Sequence, residues 1–227
     1  MCLNNFSKTF KKIGSRESSG TFGTEEFDLI EVEKFEFGNL KENNHIFSRA
    51  NNPRIDKNLL GMDILGNRPV FFSYKGNEII LDVDDVPKIK QFENIYPDPK
   101  GLQPYIPIKC GDHVLNALWD TGAGITIVDT NFIERNQDLF ELVGESEGTD
   151  STGEKMTTPN YKIKSLVIGG FSFAPHEVAA VDLFHVSSKS QNPISIGLGF
   201  STIKQADWYF DFSKNLWAIT KFHANLI

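Results

Sequence analysis

The chain has 227 residues, 40% apolar and 23% charged, enough to bury a sizeable core in one large domain or two small ones. Its formal net charge is −7, and neither residues 1–100 (14 basic, 16 acidic) nor 101–227 (9 basic, 14 acidic) carries the basic stripe that nucleic acid or an anionic membrane surface requires. Cys2 and Cys110 make no disulfide framework, no Cys/His spacing indicates zinc, and nothing approaches a signal peptide or the roughly 18 apolar residues of a membrane span. As written, the chain is expected to be cytoplasmic, with no cofactor, no metal and no nucleic-acid or membrane partner.

Strand signals dominate in chain order. Residues 27–37 alternate apolar and acidic positions (Phe27, Leu29, Val32, Phe35, Phe37), and Gly38-Asn39 marks a turn. A helical turn is expected at Asp56–Leu60. Val70–Tyr74, the turn Lys75-Gly76-Asn77 and Ile79–Leu81 predict a hairpin. Residues 82–102, acidic and then proline-bearing (Pro87, Pro97, Pro99), have the composition of a linker. A second hairpin follows, Tyr105–Lys109 and Val114–Trp119 around Cys110-Gly111-Asp112-His113. Residues 131–142 suit a short helix or an irregular loop. Residues 146–156, rich in Gly, Ser and Thr, suit an exposed hairpin tip, and Ile203–Ala206 a single helical turn.

The second hairpin ends in Trp119-Asp120-Thr121-Gly122-Ala123, followed by the apolar run Ile125-Thr126-Ile127-Val128. A carboxylate on a glycine turn between two apolar strands is costly to bury unless hydrogen bonds or chemistry account for it. The plain alternative is a structural Asp-Gly turn in which Asp120 caps its own backbone.

The sequence also repeats itself. Residues 12–20 parallel 142–148, residues 35–40 parallel 166–171, residues 60–65 parallel 196–201, and residues 72–79 parallel 210–217, with an offset that drifts from 130 to 138. Asn5-Phe6 even has a counterpart in Asn131-Phe132. The first copy begins just downstream of the place where its own Asp-Thr-Gly would stand, so only the second copy is complete.

A strand ending in Asp-Thr-Gly-Ala, a polar hairpin, and the late segment Ile196-Gly197-Leu198-Gly199 before a final hairpin resemble the aspartic peptidases. The resemblance is to their retropepsin-like bacterial branch, in a duplicated, pepsin-like arrangement. It implies a mostly β, closed acid-protease fold of two related lobes: 1–81 an N-terminally incomplete lobe, 82–102 a linker, and 103–227 a complete lobe. It implies Asp120 as a catalytic carboxylate, with Thr121, Gly122 and Ala123 supporting its loop. It further implies that Gly148, Thr149, Asp150, Ser151, Thr152 and Gly153 form a flap over a peptide or protein substrate bound as an added strand.

This chemistry needs two carboxylates, and residues 1–81 contain neither Asp-Thr-Gly nor Asp-Ser-Gly. Asp63 falls opposite Gly199 and is no substitute. Three expectations follow: a missing upstream segment supplies the second Asp, a homodimer supplies it, or the chain is a non-catalytic peptide- or protein-binding relic. A rival outside this family is an unrelated β-sandwich or carbohydrate-binding module with Trp119, Trp208 and Trp217 as stacking platforms.

Overall fold

The computed structural model describes residues 10–38, 40–51, 59–83, 89, 91–97, 103–184 and 194–223. It divides into two compact units, Met1–Gly61 with Glu147–Thr157, and Met62–Ser146 with Thr158–Ile227. These units cut across the boundary expected at residue 81, because residues 69–73 pair with a strand close to the C-terminus. The expected counterpart at Asn5-Phe6 and most of the helical turn expected at Asp56–Leu60 lie outside the described residues.

In the first unit, β1 (Lys11–Ser19), β2 (Thr24–Phe37) and β3 (Leu40–Ala50) form an antiparallel sheet in that order. The alternating stretch read from the sequence is the body of β2. Ile30 and Phe47 lie opposite each other on β2 and β3 and are fully buried, with Phe35 edge-on to Phe47 at 5.0 Å. Asp28 lies between Lys12 at 2.5 Å and Arg49 at 3.4 Å, one from each neighbouring strand. The hydrogen bond from Lys12 leads the effects that hold the Asp28 carboxyl below the ordinary carboxylate range.

The second unit opens with α1 (Met62–Leu65), followed by the expected hairpin β4 (Pro69–Ser73) and β5 (Glu78–Leu81). The stretch expected to be a linker contributes two short strands, β6 (Glu93–Asn94) and β7 (Tyr96–Pro97). Between them Ile95 is buried and donates its N–H to Asn215 O at 2.8 Å, so apolar burial overrides the linker composition there. The second hairpin is β8 (Pro104–Cys110) and β9 (His113–Trp119), turning on Gly111, whose φ of +58° suits glycine.

β10 (Thr126–Asp129) runs into α2 (Thr130–Arg135), where Asp129 Oδ1 accepts from the amides of Asn131 and Phe132 as the N-cap. A 3₁₀ turn at Gln137–Leu139 and the long strand β11 (Phe140–Thr149) follow, so residues 131–142 are part helix and part strand. Then come β12 (Lys155–Ile163), β13 (Leu166–Ile168), β14 (Phe171–Phe173), β15 (His176–Val181) and β16 (Ile196–Leu198). The chain closes with α3 (Phe200–Ile203), three residues before the helical turn expected there, and the hairpin β17 (Ala206–Asp211) and β18 (Leu216–Phe222).

Two sheets result: β5-β4-β17-β18-β6, and a ten-stranded sheet ordered β11-β12-β15-β10-β16-β9-β8-β13-β14, with β7 paired to β8 off that path. The core between them is aromatic. Trp119 packs at 4.8 Å from Phe72 and 4.4 Å from Phe210, and Trp208 at 5.8 Å from Trp217. Trp208 and Trp217 are fully buried and Trp119 is 5% exposed, which rules out the stacking platforms of the carbohydrate-binding alternative.

Strand registers recur along the chain. Phe37↔Leu40 and Val32↔His45 on β2 and β3 have the same spacing as Ile168↔Phe171 and Ile163↔His176 on β12 to β15. The turns between them contain Gly38 at φ +58° and Gly169 at φ +57°. Phe72↔Ile79 on β4 and β5 likewise matches Phe210↔Trp217 on β17 and β18, with Asn77 and Asn215 in the left-handed region at φ +53° and +54°. On this alignment α1 lies opposite α3, which places Asp63 beside Ser201 instead of Gly199.

Candidate active site

Asp120 follows directly on β9, at the end of a strand whose inward residues are Ala117 and Trp119. β16 runs between the two strands that flank the turn. Gly197 and Leu198 pair in parallel with Leu118 and Trp119 of β9, while Gly197 and Ile196 pair antiparallel with Ile127 and Val128 of β10. The turn is therefore held from both sides by one buried apolar strand.

Hydrogen bonds fix the loop itself. The Asp120 N–H donates to Leu198 O at 3.0 Å, and Phe200 N–H donates to Ala123 O at 2.8 Å, tying one end of the turn to the last residue of β16 and the other to the start of α3. Gly122 N–H donates to Asp120 Oδ1 at 2.8 Å, and a Cβ on Gly122 would stand 3.1 Å from that oxygen. The glycine lets the amide approach and orient the carboxylate. Asp120 and Ala123 are half-buried, whereas Thr121 and Gly122 are exposed. The half-buried carboxylate, one oxygen held by an amide, has the accessibility that a reacting group requires.

Two residues of this frame, Gly199 from the late glycine segment and Thr126 from the apolar run, were given no role in holding the Asp120 turn by the sequence alone. Gly199 is closed in by backbone: a Cβ there would overlap the Ile125 carbonyl oxygen and come within 2.9 Å of Ala123 O. Thr126, fully buried, accepts the Gly199 N–H at 3.0 Å and stands 2.6 Å from the Thr202 hydroxyl, while its own N–H donates to Ser201 Oγ at 3.0 Å. The single hydroxyl in the apolar run Ile125–Val128 was the available signal, since a buried hydroxyl needs a partner.

The predicted flap residues form the tip of the β11–β12 hairpin, in the first compact unit, whereas Asp120 belongs to the second. The tip is not a freely exposed lid. Asp150 is 8% and Thr152 4% exposed, with Thr149 and Ser151 outward and Gly153 at φ +82°. Asp150 Oδ2 accepts from the amides of Phe22 at 2.6 Å and Gly23 at 3.1 Å. Its Oδ1 accepts from Thr152 N at 2.8 Å, Thr152 Oγ1 at 2.6 Å and Glu154 N at 3.2 Å. Five donors offset the cost of burying this carboxylate. Gly20 lies so close that a Cβ would overlap the Asp150 carboxylate, and the Gly148 Cβ position faces the Phe22 ring at 4.0 Å. Asp150 joins the β1–β2 and β11–β12 turns and serves structure. Among the described residues, no three or more His, Cys, Asp or Glu side chains are grouped to hold a metal.

No protein-family model matches the sequence, and no curated protein matches it. Among solved structures the chain is similar to a retropepsin-like aspartic protease from Rickettsia conorii, at 17% identity and a TM-score of 0.38, over 56% of this chain and 97% of that one. The chain is mostly β, with a distant likeness to that fold over part of its length.

Proposed function

We propose that the chain is an aspartic-type endopeptidase in which Asp120 is one of two carboxylates that hydrolyse a peptide bond through an activated water. The observation that carries the reading is the setting of Asp120: a half-buried carboxylate on an exposed turn whose two flanks are bridged by one buried strand, the Gly122 N–H bond to Oδ1 being one that a purely structural Asp-Gly turn would make as well.

Amide hydrolysis without a covalent intermediate needs a base to activate water and an acid to protonate the carbonyl oxygen or the leaving amine. Two carboxylates a few ångströms apart cannot both ionise easily, so they share a proton and divide these roles. Their titration belongs to the pair. In this reading Asp120 supplies one carboxylate and Thr121, Gly122 and Ala123 shape its loop. The second comes from Asp120 of another copy or from a polypeptide segment outside this sequence. The recurring strand registers support an internal duplication in which the first copy lacks the Asp-bearing hairpin. The hairpin from Gly148 to Gly153 takes the part of a flap in this reading, one that would have to move together with the Phe22–Gly23 turn to which Asp150 ties it.

The second reading, a non-catalytic peptide-binding module, draws on the single Asp-Thr-Gly of the chain. Calorimetry with an extended peptide bearing a hydroxyl in place of the scissile amide separates the two. A hydrogen bond to a charged group contributes about 1.5–3 kcal/mol, so Asp120→Asn is expected to weaken this binding by at least about tenfold. Binding that is unchanged by Asp120→Asn would support the binding module and sink the peptidase reading.

A further inference from the structure

Behind the Asp120 loop lies a polar chain inside an apolar core. His176, at the start of β15, places Nδ1 2.7 Å from Ala174 O and Nε2 2.6 Å from Thr202 Oγ1. Nδ1 also lies 3.2 Å from Gln205 Nε2, which can only donate and has Ser201 O as another acceptor at 3.4 Å. The shorter contact, to a carbonyl that only accepts, places the proton on Nδ1 and leaves Nε2 of the neutral ring as an acceptor. The Thr202 hydroxyl donates to Nε2, the Thr126 hydroxyl donates to Thr202 Oγ1 at 2.6 Å, and Gly199 N–H donates to Thr126 Oγ1 at 3.0 Å. Thr126 and Thr202 are fully buried, and the Thr126 hydroxyl, which also has Gly199 O at 3.5 Å, is much closer to Thr202 Oγ1.

Gln205 braces the ring. Its Oε1 accepts the Ala174 N–H at 3.0 Å, which steadies the carbonyl that fixes the tautomer. Burial, with a smaller contribution from the Lys204 charge, lowers the His176 pKa below the ordinary histidine value, in keeping with a neutral ring. At the far end, Gly199 lies between Leu198, whose carbonyl accepts the Asp120 N–H, and Phe200, whose N–H is bonded to Ala123 O. A buried, directionally satisfied series of this kind permits one arrangement of the segments it joins.

We infer that His176 is a positioning residue for Asp120, fixing the Asp-Thr-Gly turn through the hydroxyls of Thr202 and Thr126. The role in catalysis rests on the peptidase reading; the role in holding the turn does not. His176 touches no reacting atom and acts through three intervening groups.

Thr202→Val keeps the shape and removes the hydroxyl, whereas Thr202→Ser keeps the hydroxyl. His176→Gln offers an acceptor oxygen near the position of Nε2. Amide exchange at Gly199 and Asp120 is expected to accelerate at least about tenfold in Thr202→Val, which removes both hydrogen bonds of the hydroxyl, and to stay close to wild type in Thr202→Ser and His176→Gln. Nitrogen NMR is expected to find the His176 proton on Nδ1 in the wild type. Where peptide cleavage is measurable, kcat falls with KM nearly unchanged in Thr202→Val and recovers in Thr202→Ser. Unchanged exchange in a folded Thr202→Val, or a proton on Nε2, overturns the inference. A wild type that cleaves nothing removes the peptidase reading alone, because the exchange and tautomer measurements still decide the positioning role.

Discussion

Gly199→Ala tests the frame around Asp120 most sharply. Gly199 has φ of −101° and ψ of −175°, backbone that alanine adopts freely, so the penalty is steric. The added Cβ would overlap Ile125 O, lie 2.5 Å from the Ile125 carbonyl carbon and 2.9 Å from Ala123 O. All three are backbone atoms, with no rotamer to yield. Relief requires the Ala123–Ile125 segment to move away from Leu198–Phe200, breaking Phe200 N–H to Ala123 O and Gly199 N–H to Thr126 Oγ1. Overpacking costs about 1–3 kcal/mol and each lost hydrogen bond about 0.5–1.5 kcal/mol, so the expected loss is about 2–6 kcal/mol. That is a large share of the roughly 5–15 kcal/mol that stabilises a domain. Trp119, Trp208 and Trp217 are the three tryptophans of the chain, and all belong to the second unit. Urea unfolding followed by tryptophan fluorescence therefore reports that unit alone. Gly124→Ala is the control, because its Cβ would meet nothing within 4 Å, and its effect should stay within about 1 kcal/mol. A Gly199→Ala protein as stable as the Gly124→Ala control would refute the packing argument.

Three further outcomes are expected. Burial works to raise the Asp150 pKa, but hydrogen bonds from Thr152, Phe22 and Gly23 outweigh it and hold the carboxyl below its ordinary value. A depressed folded pKa means that its stabilisation is complete above the unfolded value of about 3.9 and lost as pH falls through the folded one. Amide exchange at Phe22 and Gly23 should accelerate over that acidic window, and in Asp150→Asn already at pH 6; equal protection in that variant counts against the bridge between the turns. Asp207, buried, accepts from Tyr74 N at 2.8 Å, Lys75 N at 3.3 Å and His223 Nε2 at 3.0 Å, so Asp207→Ala should cost about 2–4 kcal/mol in the same fluorescence titration. Burial pushes the Cys110 thiol up to about 11 from an ordinary value near 8.5. In a Cys2→Ser background, a thiolate-selective reagent at pH 8.5 should label the chain only after unfolding, and prompt labelling of the native protein would place Cys110 elsewhere.

The Asp-bearing hairpin and the two matched hairpins were legible because alternation, glycine turns and a repeated order reinforce one another at those places. Strand β3 was not, since Lys41-Glu42-Asn43-Asn44-His45 has no apolar alternation and is a strand by virtue of pairing with β2. Residues 93–97 were hidden by acid and proline composition, although Ile95 alone supplies the burial that fixes them. The buried state of Asp150 escaped notice because its amide donors Phe22 and Gly23 are more than a hundred residues away. Thr202 and His176 escaped because their partners lie 26 to 76 residues away, and Thr126 showed only as a lone hydroxyl in an apolar run. Local pattern reveals which way a strand faces, but a hydrogen-bond partner brought in by topology leaves no local trace.

In the proposed reading Asp120 is a reacting group. The direct measurement is mass-spectrometric digestion of a peptide library between pH 3 and pH 7 by the wild-type chain and by Asp120→Asn, each with its oligomeric state determined under the same conditions. Cleavage is expected from an assembled form that contributes a second carboxylate, reduced by several orders of magnitude in Asp120→Asn while the fold and assembly persist. Cleavage that survives Asp120→Asn undiminished, or an assembled protein with two paired Asp120 carboxylates that cleaves nothing across this range, would contradict it.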